Sequence, residues 1–337
     1  MVGSITGSGI LNILKNVVSR ISGKRNDEVA SDELYNSYQE ACNIHFPESN
    51  NIPASDLFHY TDFNGLKGII SSKQLWMTHY QYLNDPSEVR YALHTIIEII
   101  KKNIKASSNA QFWENFLAFF SNGISGTDIF VLSFCQNGNY LPAWRWYADD
   151  GAGFSIGFKK KYKYFEPYIL RKKSPSEPIC KFEEISYVQP NTMSHLTECI
   201  EKLIQLTEQY LSSNQEENTR QIHDYLAVTL LPLLTKIKHN AYKEECESRI
   251  YIIGSKTDTD RPIERFYKTS DTSSEQFVRS VLFTKHNFNV NDISSIGVGP
   301  RCNFKHAEIE IRKLLVENGY DKNIEIRASC IPYRNNV

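Results

Sequence analysis

Three short clusters hold the residues in this chain that could do chemistry. His59, Tyr60 and Thr61 follow the apolar pair Leu57 and Phe58 and stand just before Asp62. Trp144, Arg145, Trp146 and Tyr147 lead through Gly151 and Gly153 to the alternating run Phe154 to Phe158. Glu245, Glu247 and Arg249 are spaced by two. Each cluster falls where a strand ends or turns, the usual place for a presented functional group.

Each cluster has a chemical and a structural reading. A polar ring beside a helix N-terminus suits an anionic ligand. The alternative is a buried His59 bonded to backbone. In a strand, a spacing of two points Glu245, Glu247 and Arg249 to one face. Arg249 could then hold a carboxylate and aim it into a pocket. Otherwise Glu247 and Arg249 form an ion pair at a solvated edge, which is worth little.

The elements that must position these groups follow from hydrophobic spacing. Leu57 to Thr61 reads as a strand. Asp62 caps a helix with apolar positions Phe63, Leu66, Ile69 and Ile70, closed at Ser71 and Ser72. Leu75 to Met77 is a second strand. Asn84, Asp85 and Pro86 form a turn that starts a helix with Glu88 in its first turn. Ile129 to Cys135 reads as a buried strand, and Ile179 to Tyr187 and Glu247 to Ile253 as further strands. Met193 to Tyr210 and Arg220 to Tyr242 read as two long helices, an inserted hairpin with no evident chemistry. Lys305 to Asn318 is a helix closed by Gly319 in a left-handed cap.

Residues 1–50 read as a helical adapter. It carries an amphipathic stretch from Ile10 to Ile21, a polar linker from Gly23 to Ser31 and a helix around Leu34 to His45. Residues 51–337 then form one α+β domain with a helical insertion at 193–242. The expected fold is a mixed, split sheet.

Composition limits the function. The 38 basic and 39 acidic residues leave a formal charge of -1, so binding to nucleic acid by bulk charge is not expected. Seven scattered cysteines without a C-x-x-C pair read as reduced thiols in a cytoplasmic protein, with no zinc site. No apolar run approaches the roughly 20 residues that cross a bilayer, so no stable membrane insertion is expected. P-loop, dinucleotide G-x-G-x-x-G and H-E-x-x-H motifs are absent from the sequence, and no nucleophile elbow is read, since the string G-F-S-I-G from Gly153 to Gly157 falls in the strand run.

Several motifs in order carry a resemblance. N-D-P-x-E at Asn84 to Glu88 precedes W-x-x-Y-A at Trp144 to Ala148 and the G-F strand at Gly153 to Phe158. E-x-E-x-R follows at Glu245 to Arg249, G-P at Gly299 and Pro300, and I-P-Y-R at Ile331 to Arg334. From about Leu57 to Arg334 the chain resembles the bacterial family called domain of unknown function 2971. F-H-Y-T, a helix and a short strand are also similar to the start of the ADP-ribosyltransferase fold, in its His–Tyr–Glu branch.

That second resemblance implies a site. His59 would hold the adenosine ribose of NAD, and a middle aromatic, Tyr147, would stack on nicotinamide. Glu247, or Glu245 in second place, would act on the nicotinamide ribose. Tyr60, Thr61, Trp144 and Arg249 would complete the NAD site, and no metal is required. The implied function is an intracellular NAD-dependent ADP-ribosyltransferase, a toxin or phage-defence effector. Its acceptor would be protein or nucleic acid, and an antitoxin or activator would control it. The alternatives are an NAD glycohydrolase, a nuclease-like effector, and a non-catalytic nucleotide-sensing or interaction module.

Overall fold

The computed structural model of the chain describes residues 29–46, 55–83, 88–159, 179–213, 219–255, 266–269 and 280–333. The stretch Ile10 to Ile21, the turn at Asn84 to Pro86 and Arg334 lie outside the described residues.

Helix α1 spans Val29–His45, β1 Leu57–Thr61, α2 Phe63–Ser72 and β2 Gln74–His79. Then come α3 (Glu88–Asn103), α4 (Ala110–Ser125), β3 (Thr127–Cys135), α5 (Leu141–Tyr147) and β4 (Phe154–Phe158). Strands β5 (Ile179–Glu184) and β6 (Ser186–Val188) lead to α6 (Pro190–Ser213), α7 (Thr219–Leu230), α8 (Leu233–Lys236) and β7 (Ile237–His239). The chain continues through β8 (Glu247–Ser255), β9 (Phe266–Thr269), β10 (Ser280–Asn287), β11 (Ile293–Val298), α9 (Phe304–Glu317) and β12 (Glu325–Ala328).

The fold is α+β around a mixed sheet that forks. Strand β8 pairs along the whole of β3, from Thr127↔Ser255 to Cys135↔Glu247. Both β1 and β2 must therefore share the other edge of β3. Strand β2 pairs there at Phe130 and Val131, and β1 only at Cys135. Leu132, Ser133 and Phe134 face the opening between them. Beyond β1 the sheet runs to β4, β11 and β12, and beyond β2 to β10 and β9. The β11–β12 pair is parallel, which makes the sheet mixed.

Local chemistry fixes the two strands that diverge. Asp62 caps α2 by accepting the Gly65 N–H at 2.6 Å, a contact of the kind worth about 1 kcal/mol. Lys73, in the left-handed region at φ 55°, ends α2 by returning its N–H to Ile69 O. Leu66, Ile69 and Ile70 of α2 pack with Ile311 and Leu315 of α9 on one face of the sheet. On the other face a larger apolar cluster joins α1, α3, α4, α6, α7 and α8. Tyr38 of α1 is buried there and shares a hydrogen bond with Thr207 of α6 at 2.6 Å.

One helical expectation fails in an informative way. The apolar run from Arg220 to Tyr242 is broken after Leu230, where Pro232 lacks an N–H and its ring crowds the preceding turn. The chain then leaves helix at Ile237 and pairs in parallel with β6, through Ser186↔Ile237, Tyr187↔Lys238 and Val188↔His239. This two-stranded clasp brackets the helical insertion where it leaves and rejoins the sheet. Gly319 does close α9 as expected, at φ 78°.

Candidate functional site

The fork opens a cavity of about 220 Å³. Its walls are aromatic: Phe58, Tyr60, Trp76, Tyr82, Phe134, Tyr147 and Tyr242 all reach it. Five charged residues line it as well, namely Glu88, Lys238, Glu245, Glu247 and Arg249. His59 and Ser133 also line it. Of the residues expected from the sequence, the structure brings together His59, Tyr60, Tyr147, Glu245, Glu247 and Arg249. Thr61 and Trp144 lie off the cavity.

His59 enters through the fork. Along β1, Leu57 and His59 leave one face while Phe58 and Tyr60 leave the other. Leu57 joins the core on the α2 and α9 side, and Tyr60 packs edge-on to Trp144 at 4.8 Å. Glu247 and Arg249 alternate with Ile250, which belongs to the α2 and α9 core, so they share the face of Tyr60. The cavity meets His59 because β1 has peeled away from β3. Ser133, left without a ladder partner on that edge, accepts a hydrogen bond from His59 Nδ1 at 3.1 Å. A carbonyl only accepts, so Nδ1 carries the proton and Nε2 is an acceptor. Burial pushes the His59 pKa below its ordinary value, against the opposing pull of the Ser133 bond, and favours the neutral ring.

Tyr60 and Trp144 serve the architecture. The Tyr60 hydroxyl donates to Asn137 O at 2.7 Å and accepts the Tyr140 N–H at 3.1 Å, tying down the loop before α5. Trp144 is buried and donates from Nε1 to Asn139 Oδ1 at 3.0 Å. Their rigidity positions α5, from which Tyr147 reaches the cavity and donates its hydroxyl to Glu245 Oε1 at 2.8 Å.

The charged residues form one network. Arg249 donates to Glu247 from Nε at 2.6 Å and from Nη2 at 2.8 Å, and to Glu88 from Nη2 at 2.6 Å. Its Nη1 donates to Thr235 O at 3.3 Å. Lys238 Nζ reaches Glu88 at 2.6 Å and Glu247 at 2.9 Å, and also contacts Glu245. The backbone N–H of Glu247 donates to the Tyr187 hydroxyl at 2.9 Å. Three carboxylates thus face two cations, a formal excess of one negative charge. Buried charges persist only when paired and hydrogen-bonded in this way.

The two carboxylates that the sequence singled out differ in environment. Glu247 is 6 % exposed. Burial works against its charge, but Arg249 and Lys238 outweigh that and hold it at about 2. Glu245 lies elsewhere than the spacing implied. It ends the turn Asn240–Glu245, and Cys246 then takes a left-handed φ of 47° before β8 begins at Glu247. One strand face therefore does not hold both. Burial raises the Glu245 pKa, Lys238 lowers it and the nearby Glu247 raises it, leaving it above the ordinary value. Neighbouring carboxyls pushed apart in this manner are the usual arrangement for divided acid–base roles.

Sequence reasoning overlooked three participants. Glu88 was visible as the last residue of N-D-P-x-E, where it read as a helix start. Lys238 lay in the stretch taken for helix. Its signal was the alternation of Lys236, Ile237 and Lys238 after Pro232, a strand pattern. Ser133 carried no signal, because its exposure arises from the fork.

A model of the family described as "Protein of unknown function (DUF2971)" matches residues 143–250. This supports the family relationship that the motif order suggested. The matched stretch holds Tyr147, Lys238, Glu245, Glu247 and Arg249, and it includes the helical insertion, which the motif comparison had left outside. No curated protein and no solved structure matches the chain. Among the described residues no group of His, Cys, Asp and Glu is arranged to hold a metal ion, and no helix is long and apolar enough to cross a membrane.

Proposed function

We propose that the forked cavity binds the nicotinamide–ribose end of NAD and that the protein is an NAD-dependent ADP-ribosyltransferase. One observation carries the reading: an aromatic-walled cavity holds a network with one negative charge in excess, beside a neutral histidine whose free nitrogen accepts. Such a cavity suits a planar cation that brings hydrogen-bond donors. The nicotinamide of oxidised NAD is such a ring, and its ribose supplies hydroxyl donors for His59 Nε2.

The chemistry follows from the two carboxylates. As the nicotinamide–ribose bond breaks, its electron pair leaves with the ring and positive charge develops on the ribose. Glu247, held ionised by Arg249 and Lys238, supplies a fixed negative field for that charge. Glu245, with its raised pKa, takes the proton of the incoming acceptor as the new bond to the ribose forms. The acceptor is a protein or nucleic-acid group. Water in its place makes the reaction an NAD glycohydrolysis. The role as a toxin or phage-defence effector rests on the resemblance alone and is tested by growth on expression.

The test is release of free nicotinamide from NAD, with and without cell extract as the acceptor source. Glu245→Gln is expected to lower release about 100-fold, the scale for loss of one group that acts mainly in the transition state. His59→Ala is expected to weaken NAD binding as well, since a ribose contact acts in both states. Wild-type protein that binds NAD and releases no nicotinamide under either condition overturns the enzyme reading. The second reading, a non-catalytic nucleotide sensor, would then stand. It is favoured by the tight engagement of Glu247 with two cations, which a purely structural network would also need.

A further inference from the structure

Lys238 occupies the centre of the network and comes from outside the large sheet that holds Glu247 and Arg249. It sits on β7, the strand on which the helical insertion returns. Its Nζ touches Glu88 of α3, Glu247 of β8 and Glu245 of the preceding turn, and lies 4.9 Å from the Tyr242 ring centroid. In the clasp, Lys238 is paired with Tyr187, whose hydroxyl takes the Glu247 N–H. Both clasp strands therefore grip the same glutamate, one at its side chain and one at its backbone.

We propose that Lys238 is the positioning residue of this site: its single ammonium gathers three carboxylates and aims Glu245 at the cavity, which makes the helical insertion part of the site. The division of contacts supports this. Arg249 is engaged by Glu88, Glu247 and Thr235 O, whereas Glu245 bonds to Lys238 and to the Tyr147 hydroxyl. Without the ammonium, Arg249 alone would face three buried carboxylates. Like charges so close in a low-dielectric site force one of them to keep a proton. Glu245 is the one expected to do so. The groups that act on it are Lys238 of β7, Glu247 of β8, Tyr187 of β6, Tyr147 of α5 and Cys135 of β3, and among these Lys238 is the cation; Lys243 shares its turn. A protonated Glu245 cannot take a proton from an acceptor.

The inference rests on the transfer reading for its kinetic arm only. Infrared spectra of wild type, Lys238→Met and Lys238→Arg at neutral pH, compared with the same proteins lacking Glu245 (Glu245→Gln), report a protonated buried carboxyl directly. The band is expected in Lys238→Met, absent in wild type and Lys238→Arg, and removed from Lys238→Met by Glu245→Gln. Where nicotinamide release is measurable, Lys238→Met is expected to lower turnover about 100-fold, as for a displaced catalytic group, with KM for NAD little changed. The activity that remains should need a higher pH. Lys236→Met removes a neighbouring buried lysine, paired with Glu183 at 3.0 Å, and should leave the pH profile in place. If Lys238→Met fails to fold, the double variant with Glu245→Gln, which restores the charge balance, is expected to recover folding. Lys238→Met with no carboxyl band and an unshifted profile overturns the proposal, as does a double variant no more stable than the single one. Wild type that releases no nicotinamide defeats the transfer reading while the infrared result still decides the place of Lys238.

Discussion

Two ionic clusters draw on the same set of sequence motifs and end in opposite surroundings. The first joins Glu88, Lys238, Glu245, Glu247 and Arg249 inside the fork. The second lies at the surface, where Arg301 Nη1 meets Asp150 Oδ2 at 2.7 Å and the Tyr333 hydroxyl contacts Asp150 Oδ1. The second gathers the segment after α5, the G-P turn and the I-P-Y tail, much as the first gathers N-D-P-x-E and E-x-E-x-R. Their distances are alike. Their exposure is not: Arg249 and Glu247 are almost fully enclosed, whereas Arg301 is 31 % and Asp150 53 % exposed. In the enclosed cluster each charge has lost its water and depends on its partners. At the surface, water competes for the same bonds and replaces them cheaply. Distance alone would rank the clusters equally, and burial separates them.

Breaking the comparison at its strongest point gives the largest effect. Arg249→Met leaves Glu88 and Glu247 buried with Lys238 as their remaining cation. It is expected to cost about 3–5 kcal/mol in denaturant unfolding. A loss below about 1 kcal/mol would place the network with the surface pairs.

Acid titration sharpens the contrast inside the buried cluster. Glu247 is held at about 2, below its ordinary 4.5. Its stabilising effect is complete above about 4.5 and is lost as pH falls towards 2, so wild type should lose its advantage over Glu247→Gln across that window. Glu245 has the opposite sign, because its pKa is raised above 4.5. Its favourable contribution is present below 4.5 and fades as pH rises through the raised value. Wild-type stability relative to Glu245→Gln should therefore fall with rising pH. Parallel pH curves for the two variants would contradict the unlike environments of the two carboxylates.

The smallest effect belongs to the surface. Arg301→Gln is expected to change stability by less than about 1 kcal/mol, and by less still in high salt, as measured by thermal or denaturant unfolding. A larger loss would mean that the left-handed backbone at Asp149 and Asp150, both at φ 48°, relies on the arginine for more than a charge contact.

Much of this was legible in the chain, and the failures have physical causes. Asp62 as a cap, Gly319 as a left-handed stop and the buried run of β3 are local properties, and each stands as read. The expected α+β fold with a mixed sheet stands, and that sheet forks at β3. Glu245 was misplaced because a spacing of two implies a strand only if the strand is already running. The left-handed Cys246 delays β8 by two residues, and a turn delivers Glu245 to the same cavity. Lys238 was missed because the hydrophobic run around it fits a helix as well as a buried strand, and Pro232 with the β6 partner decided between them.

The sequence by itself determined most of the elements, the apolar faces that drive them together and the residue types available for chemistry. Those depend on caps, spacing and turn residues, which act over a few positions. Tertiary structure alone decided which charged groups meet. Arg249 and Glu88 stand 161 residues apart, yet they share a hydrogen bond because α3 starts at the mouth of the fork. The fork itself, the exposure of Ser133 and the entry of Lys238 arise from two strands competing for one edge of β3. No local pattern encodes that competition. It is resolved only when both faces of the sheet are covered and each buried charge has found a partner.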